Sequence, residues 1–169
     1  MKSIFLLLAA GCLLLSGCAG YTLGAHKPVH LRKVTKLAVP TFENLTLEQR
    51  LGSLVTNAVI KQLQNHGSYQ IVSRNEADAV LEGKISNINR TQFRSDLNNV
   101  LRSSQIQATL VCPFTIRERE SGKVLHTGNA FADSYIILEA NLQLSETQLL
   151  EDTAQRLAFN LADQISEGW

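Results

Sequence analysis

The chain reads as an α+β two-layer sandwich, with two amphipathic helices packed on one face of a four- to five-stranded mixed sheet. Three observations predict it. Two segments, 47–63 and 150–165, carry apolar residues at helical spacing along one side only. Two long runs, 79–85 and 105–117, alternate with the period of a strand, and a Glu120-Ser121-Gly122 turn folds the second into a hairpin. A strand, a helix and a strand near the start of the domain imply a right-handed crossover between parallel strands, which makes the sheet mixed.

Residues 1–17 read as a cleaved secretory signal: Lys2 supplies the positive start, Ile4 to Leu15 is almost wholly apolar, and the small Ser16 and Gly17 follow. That apolar run spans only ~18 Å as a helix, short of the ~30 Å hydrocarbon core of a bilayer, so a permanent membrane helix is the weaker reading. Leu15-Ser16-Gly17-Cys18 resembles the lipobox of bacterial lipoproteins. The resemblance implies that Cys18 receives a diacylglycerol, becomes the first residue of the mature chain, and fixes it to the membrane through its acyl chains. Ala19 and Gly20 follow instead of an Asp, which by the same resemblance implies the outer membrane, on its periplasmic face. Residues 18–33 are then a lipidated N-terminus and tether, broken by Gly20, Gly24 and Pro28, and 34–169 form a single domain.

In that domain, Leu37-Ala38-Val39 reads as a short buried strand stopped by Pro40. Thr46 and Gln49 have the spacing of a capping box that opens the first helix, whose face is Leu47, Leu51, Leu54, Val55, Ala58 and Leu63, with Gly67 ending it. Tyr69 to Val72 is the second short strand. Ala79, Leu81, Gly83 and Ile85 form the inward row of a longer strand whose phase slips near Ile88, the mark of a bulge or bend. Ile106, Ala108, Leu110, Cys112, Phe114 and Ile116 form the inward row of the clearest strand, where Pro113 calls for an edge or a bulge. Lys123 to about Tyr135 returns as its hairpin partner. Ser145 and Gln148 suggest a second capping box, opening a helix with the stripe Leu150, Ala154, Leu157, Ala158, Leu161 and Ile165 that runs to about Gly168. Trp169 is expected to close the core.

Composition narrows the function. At 169 residues and 44% hydrophobic, the chain fits one globular domain and is neither disordered nor polytopic. There are 16 basic and 15 acidic side chains, and loss of Lys2 with the signal leaves 15 of each, so no global field attracts a nucleic acid. Cys12 leaves with the signal and Cys18 is acylated, so Cys112 has no partner for an internal disulfide and reads as a small core residue.

The motifs that carry a catalytic mechanism are missing: no G-x-S-x-G elbow, P-loop, H-E-x-x-H or paired-Cys spacing occurs. The chain is therefore not expected to be an enzyme, and no cofactor or metal is expected. His26 and His30 have an i,i+4 spacing but Pro28 lies between them, so a solvated tether is preferred to a metal site. Glu118 and Glu120 share a strand face, yet sit at a hairpin turn and read as solvated surface. His126, with no nucleophile or ligand partner in view, reads as structural.

Two features point to binding. The outward row Gln105, Gln107, Thr109 and Thr115 is polar but uncharged until Arg117. Such a row is either an ordinary wet sheet face or one that meets a large partner or a polar lumen, where charges would have to be desolvated or paired. Between the two long strands, Arg90, Arg94 and Arg102 bracket a segment holding Leu97, Val100 and Leu101. Basic and apolar groups together suit an amphipathic anion, phosphate plus acyl chain, such as a glycolipid, and the other reading is a mobile hairpin loop with its apolar residues folded back.

Four blocks carry a wider resemblance: Cys18-Ala19-Gly20-Tyr21, Leu37 to Thr46, Ala77 to Ile85, and Ser121 to Leu125. In order and spacing they resemble the LptE-like family of lipopolysaccharide-assembly lipoproteins over nearly the whole mature chain. Here Ala19 departs from the family's Cys-Gly-Tyr, which lengthens the tether. The resemblance implies two helices on a mixed sheet and a partner, the large outer-membrane β-barrel that inserts lipopolysaccharide into the outer leaflet (an LptD-like barrel). The chain would sit in that barrel as a plug, help assemble it, and bind lipopolysaccharide itself. The other function kept open is a periplasmic lipoprotein that activates a peptidoglycan synthase or forms part of a secretion pore, since both can carry a similar strand-Phe-x-Asn-x-Thr block. The short tether, reaching at most ~40 Å, disfavours the first of these.

Overall fold

A computed structural model describes residues 27–95, 103–138 and 142–167. In chain order the elements are β1 Lys36–Ala38, β2 Glu43–Asn44, α1 Leu51–His66, β3 Gln70–Ile71, β4 Ala79–Ile85, β5 Asn87–Ser95, β6 Ser103–Glu118, β7 Val124–Ile137 and α2 Leu142–Glu167. The architecture is the expected α+β sandwich, but the sheet has seven strands, more than the four or five read from the sequence.

The extra strands arise because two lanes of a five-lane sheet are interrupted. β1 and β2 both run parallel to β4, pairing Leu37 with Ala79 and Glu43 with Lys84. Pro40 lies between them, where its missing N–H and fixed φ break the ladder. β4 and β5 likewise share one edge of β6, with Gly83 opposite Phe114 and Asn87 opposite Val111. One extra residue separates those registers, and both the amide and the hydroxyl of Ser86 donate to the Val111 carbonyl at 3.3 Å. This is the bulge that the phase slip near Ile88 predicts. Pro113 sits opposite the same register change, so its missing N–H falls where the ladder changes partner. β3 is parallel to β1, as the crossover requires, and β7 pairs with β6 along its length from Gln105 to Arg117.

The inward rows build one core. Leu37, Leu81, Leu110, Phe114 and Ile116 from the sheet meet Val55, Val59 and Leu63 of α1 and Leu157, Leu161 and Ile165 of α2, all buried in one cluster. Cys112 belongs to it, and burial pushes its thiol up to about 11, so it stays protonated and unreactive at neutral pH. Leu31, at the end of a 3₁₀ turn over Val29–Leu31, is also fully buried, and Lys27 stands 4.1 Å over the Tyr69 ring. Folded structure therefore includes residues ahead of Val34.

Neither capping box caps. α1 starts at Leu51 after Arg50, with no side-chain cap bond. Thr46 instead closes a turn: its hydroxyl donates to Asn44 Oδ1 at 2.8 Å and accepts from the Glu48 amide at 3.2 Å. Leu47, expected on the helix face, is consequently fully exposed. α2 begins three residues before Ser145, which is buried within the helix. In both cases a Ser or Thr followed three residues later by Gln satisfied the pattern, while tertiary packing set the helix start. At the other end of α1 the expectation holds: Gly67, at φ 71, donates its amide to the Leu63 carbonyl at 3.1 Å.

Candidate functional site

The outer face of the hairpin sheet is the candidate site. Gln105, Gln107 and Thr109 are half-buried between neighbours on β5 and β7, and Thr115 is half-buried between Glu82 of β4 and Thr127 of β7. Register places Asn89, Thr109 and Asp133 abreast, then Thr91, Gln107 and Tyr135. The Gln107 amide donates to Asp133 Oδ2 at 3.2 Å. The polar row of β6 is thus the middle of a wider field of amides and hydroxyls, which holds Asp133 beside Thr109 and ends at Thr115 beside Glu82, whose carboxylate pairs with Arg117 at 3.4 Å.

Along β7 this field gains an apolar border. Phe131, Tyr135 and Ile137 are each more than 60% exposed on the outward row. Phe159 of α2, also exposed, stands beside Phe131, and the two flank a shallow cleft with Asp133, Arg156 and Asn160. β7 is an edge strand, and α2 covers part of that edge: Asn160 donates to the Phe131 carbonyl at 2.8 Å and Gln164 to the Asn129 carbonyl at 3.4 Å. The inward side of β7 is tied to the same helix through Ser134, whose hydroxyl donates to Asp152, while Arg156 holds that carboxylate at 2.8 Å. These two bonds keep Asp152 below the usual carboxylate range. The border aromatics therefore stand on a strand braced from both sides. Their signal was present in the sequence, since Phe131, Tyr135 and Ile137 share the outward parity of Asn129 and Asp133.

Arg90 lies in β5, where its guanidinium pairs with Glu48 at 2.6 Å. It borders a groove of about 750 Å³ between the helix starts, beside Leu47, Glu146 and Glu151. The backbone of Arg94 is opposite Gln105, after a register shift that separates it from Gln92. Its side chain, together with Leu97, Val100, Leu101 and Arg102, lies outside the described residues. So do Cys18, His26 and Trp169.

Glu118 accepts the Ser121 hydroxyl and Glu120 pairs with Arg119 at 2.8 Å, both at the exposed turn. His126 has a partner after all. Its Nδ1 lies 3.0 Å from His30 Nε2, with the rings stacked at 4.8 Å, and Phe114 packs at 5.7 Å. Burial, and then the charge of His30, lower the pKa of His126. Among the described residues no helix is long and apolar enough to cross a membrane.

Comparison with solved structures shows the fold in other proteins. A candidate lipoprotein from Caulobacter crescentus CB15 matches with a TM-score of 0.51 at 15% identity, over 75% of this chain and 88% of that one. A homologue of a neuraminyllactose-binding hemagglutinin from Helicobacter pylori gives 0.55 at 9%, over 86% and 88%. Lipoprotein B from Nitrosomonas europaea gives 0.54 at 8%, over 79% and 83%. A search of curated protein sequences finds no match. The family model for LptE, described as lipopolysaccharide-assembly, matches residues 34–167. That match spans both helices and the whole sheet, so the chain belongs to the LptE lipopolysaccharide-assembly family.

Proposed function

We propose that this protein is an outer-membrane lipoprotein, anchored through acyl chains on Cys18 at the periplasmic face, that forms a complex with, plugs and helps assemble the β-barrel inserting lipopolysaccharide into the outer leaflet. The observation that supports this most is the broad, nearly uncharged amide and hydroxyl face centred on Gln107 and Thr109, with its exposed aromatic border. Such a face can lie against the polar wall of a barrel without stranding charges, and the border supplies apolar anchors. Two or more acyl chains hold the domain at the membrane and raise its effective concentration near the barrel. No step requires a catalytic residue.

Lipopolysaccharide contact is assigned to the β5–β6 end, through Arg94 and Arg102 with Leu97, Val100 and Leu101. Arg90 already pairs with Glu48 at 2.6 Å, so a phosphate reaching it would compete with that carboxylate for its guanidinium.

The test is to tag the C-terminus, extract outer membranes in mild detergent and identify what co-purifies in stoichiometric amount. A large β-barrel at one to one, crosslinked by a photoreactive residue at position 107 or 109, is the expected result. Recovery of a peptidoglycan synthase, or of a ring of the chain itself, would overturn the reading. Separately, Cys18→Ser is expected to abolish palmitate labelling and release the domain from the membrane fraction.

A further inference from the structure

The C-terminal ends of the two helices meet at a cluster that the docking face does not use. α1 ends at His66 and α2 at Glu167, and the Tyr69 hydroxyl, donating to the Ile165 carbonyl at 2.6 Å, holds the two ends together. His66, Asp163 and Glu167 each present one donor atom, and all three atoms lie within 4.8 Å of one another. His66 Nε2 and Glu167 Oε1 are 3.5 Å apart. Asp163 and Glu167 are an i,i+4 pair on one side of α2, which is the spacing that directs two carboxylates at one point.

Three further observations favour a cation at that point. The other ring nitrogen of His66 lies 3.0 Å from Ser68 Oγ, outside the cluster. In the tautomer that donates Nδ1–H to Ser68, the Nε2 lone pair faces the carboxylates, as in a histidine ligand oriented by its outer hydrogen bond. The last turn of α2 holds no basic residue, and both helix ends add negative partial charge. The side chains of His66 and Glu167 are 20% and 41% exposed, so an ion can reach them.

We propose that His66, Asp163 and Glu167 bind a borderline divalent cation of the Zn²⁺ type, with water completing the coordination, as a clamp between the two helix ends. Tetrahedral zinc donors stand ~3.3 Å apart at ordinary bond lengths, so the His66–Glu167 pair is already near that spacing. The wider separation within the cluster closes by rotation of a surface carboxylate. One nitrogen and two oxygen donors suit Zn²⁺ and exclude a soft-metal site.

The test uses the full-length lipoprotein in detergent, with Zn²⁺ alone as the probe in isothermal titration. One ion per chain is expected, with affinity reduced at least ~tenfold in His66→Gln and in Asp163→Asn, and unchanged in His30→Gln and His126→Gln. Zn²⁺ should also raise the melting temperature of the parent protein and not that of His66→Gln, while circular dichroism without metal shows both folded. Absence of saturable binding would reduce the cluster to a His–Glu ion pair and overturn the site. Binding that survives His66→Gln and disappears in the His30 or His126 variant would overturn it equally.

Discussion

Gly83 lies directly beneath the Phe42 ring: a Cβ placed there would come within 2.3–2.7 Å of three ring carbons. Phe42 cannot move aside freely, because its ring is buried in the core cluster and its backbone amide donates to the buried Thr56 hydroxyl at 2.9 Å. Gly83→Ala is therefore expected to cost ~1–3 kcal/mol by overpacking, read as a lower urea midpoint with an unchanged slope. At His126 the physics is electrostatic. Its folded pKa is lowered from 6.5, so as pH falls through that value the unfolded chain takes up a proton that the folded chain refuses. The contribution is complete above the unfolded pKa and is lost as pH drops toward the folded one. Urea midpoints at neutral pH and at about pH 5.5 should show the loss, and His126→Gln should reduce it. Neither residue announced its role in sequence: Gly83 read only as a member of an inward row, and the partner of His126 lies 96 residues away.

The helices separate what a local pattern can say from what it cannot. The apolar stripe of α2 is buried almost as read, through Ala154, Leu157, Ala158, Leu161 and Ile165, because helical periodicity reports directly on which side meets a core. Leu161→Ala is expected to cost ~2–5 kcal/mol, measured by denaturant unfolding, since the cavity would open between the helix and the sheet. Helix starts were not legible. Thr46 fits a capping motif, yet it closes a turn five residues before the helix, whose first turn is fixed by Leu51 entering the core. Thr46→Ala should leave the helix content seen by circular dichroism unchanged. Gly67→Ala should instead cost about 1 kcal/mol, because the left-handed conformation at φ 71 suits glycine alone without strain.

At the scale of the molecule, docking depends on a face rather than on a residue. A charge placed in this nearly uncharged field must be desolvated when the partner arrives, so Thr91→Lys, exposed on β5 and a full strand removed from Asp133, should lower recovery of the co-purifying barrel at least ~tenfold while leaving the melting temperature nearly unchanged. The fold class, the inward rows, the bulge near Ile88 and the turn at Gly122 were legible from residues close along the chain, and the family resemblance from four blocks in order. So was the lack of charge in the β6 outward row before Arg117. Packing in three dimensions is what makes Asn89, Thr91 and the β7 residues extend that row into a field, sets Phe131 and Phe159 around one cleft, and pairs Arg90 with Glu48. Periodicity fixes which way a side chain points relative to its own backbone. What it points at is set by strand register and helix docking, and those are choices made by contacts between residues far apart in sequence.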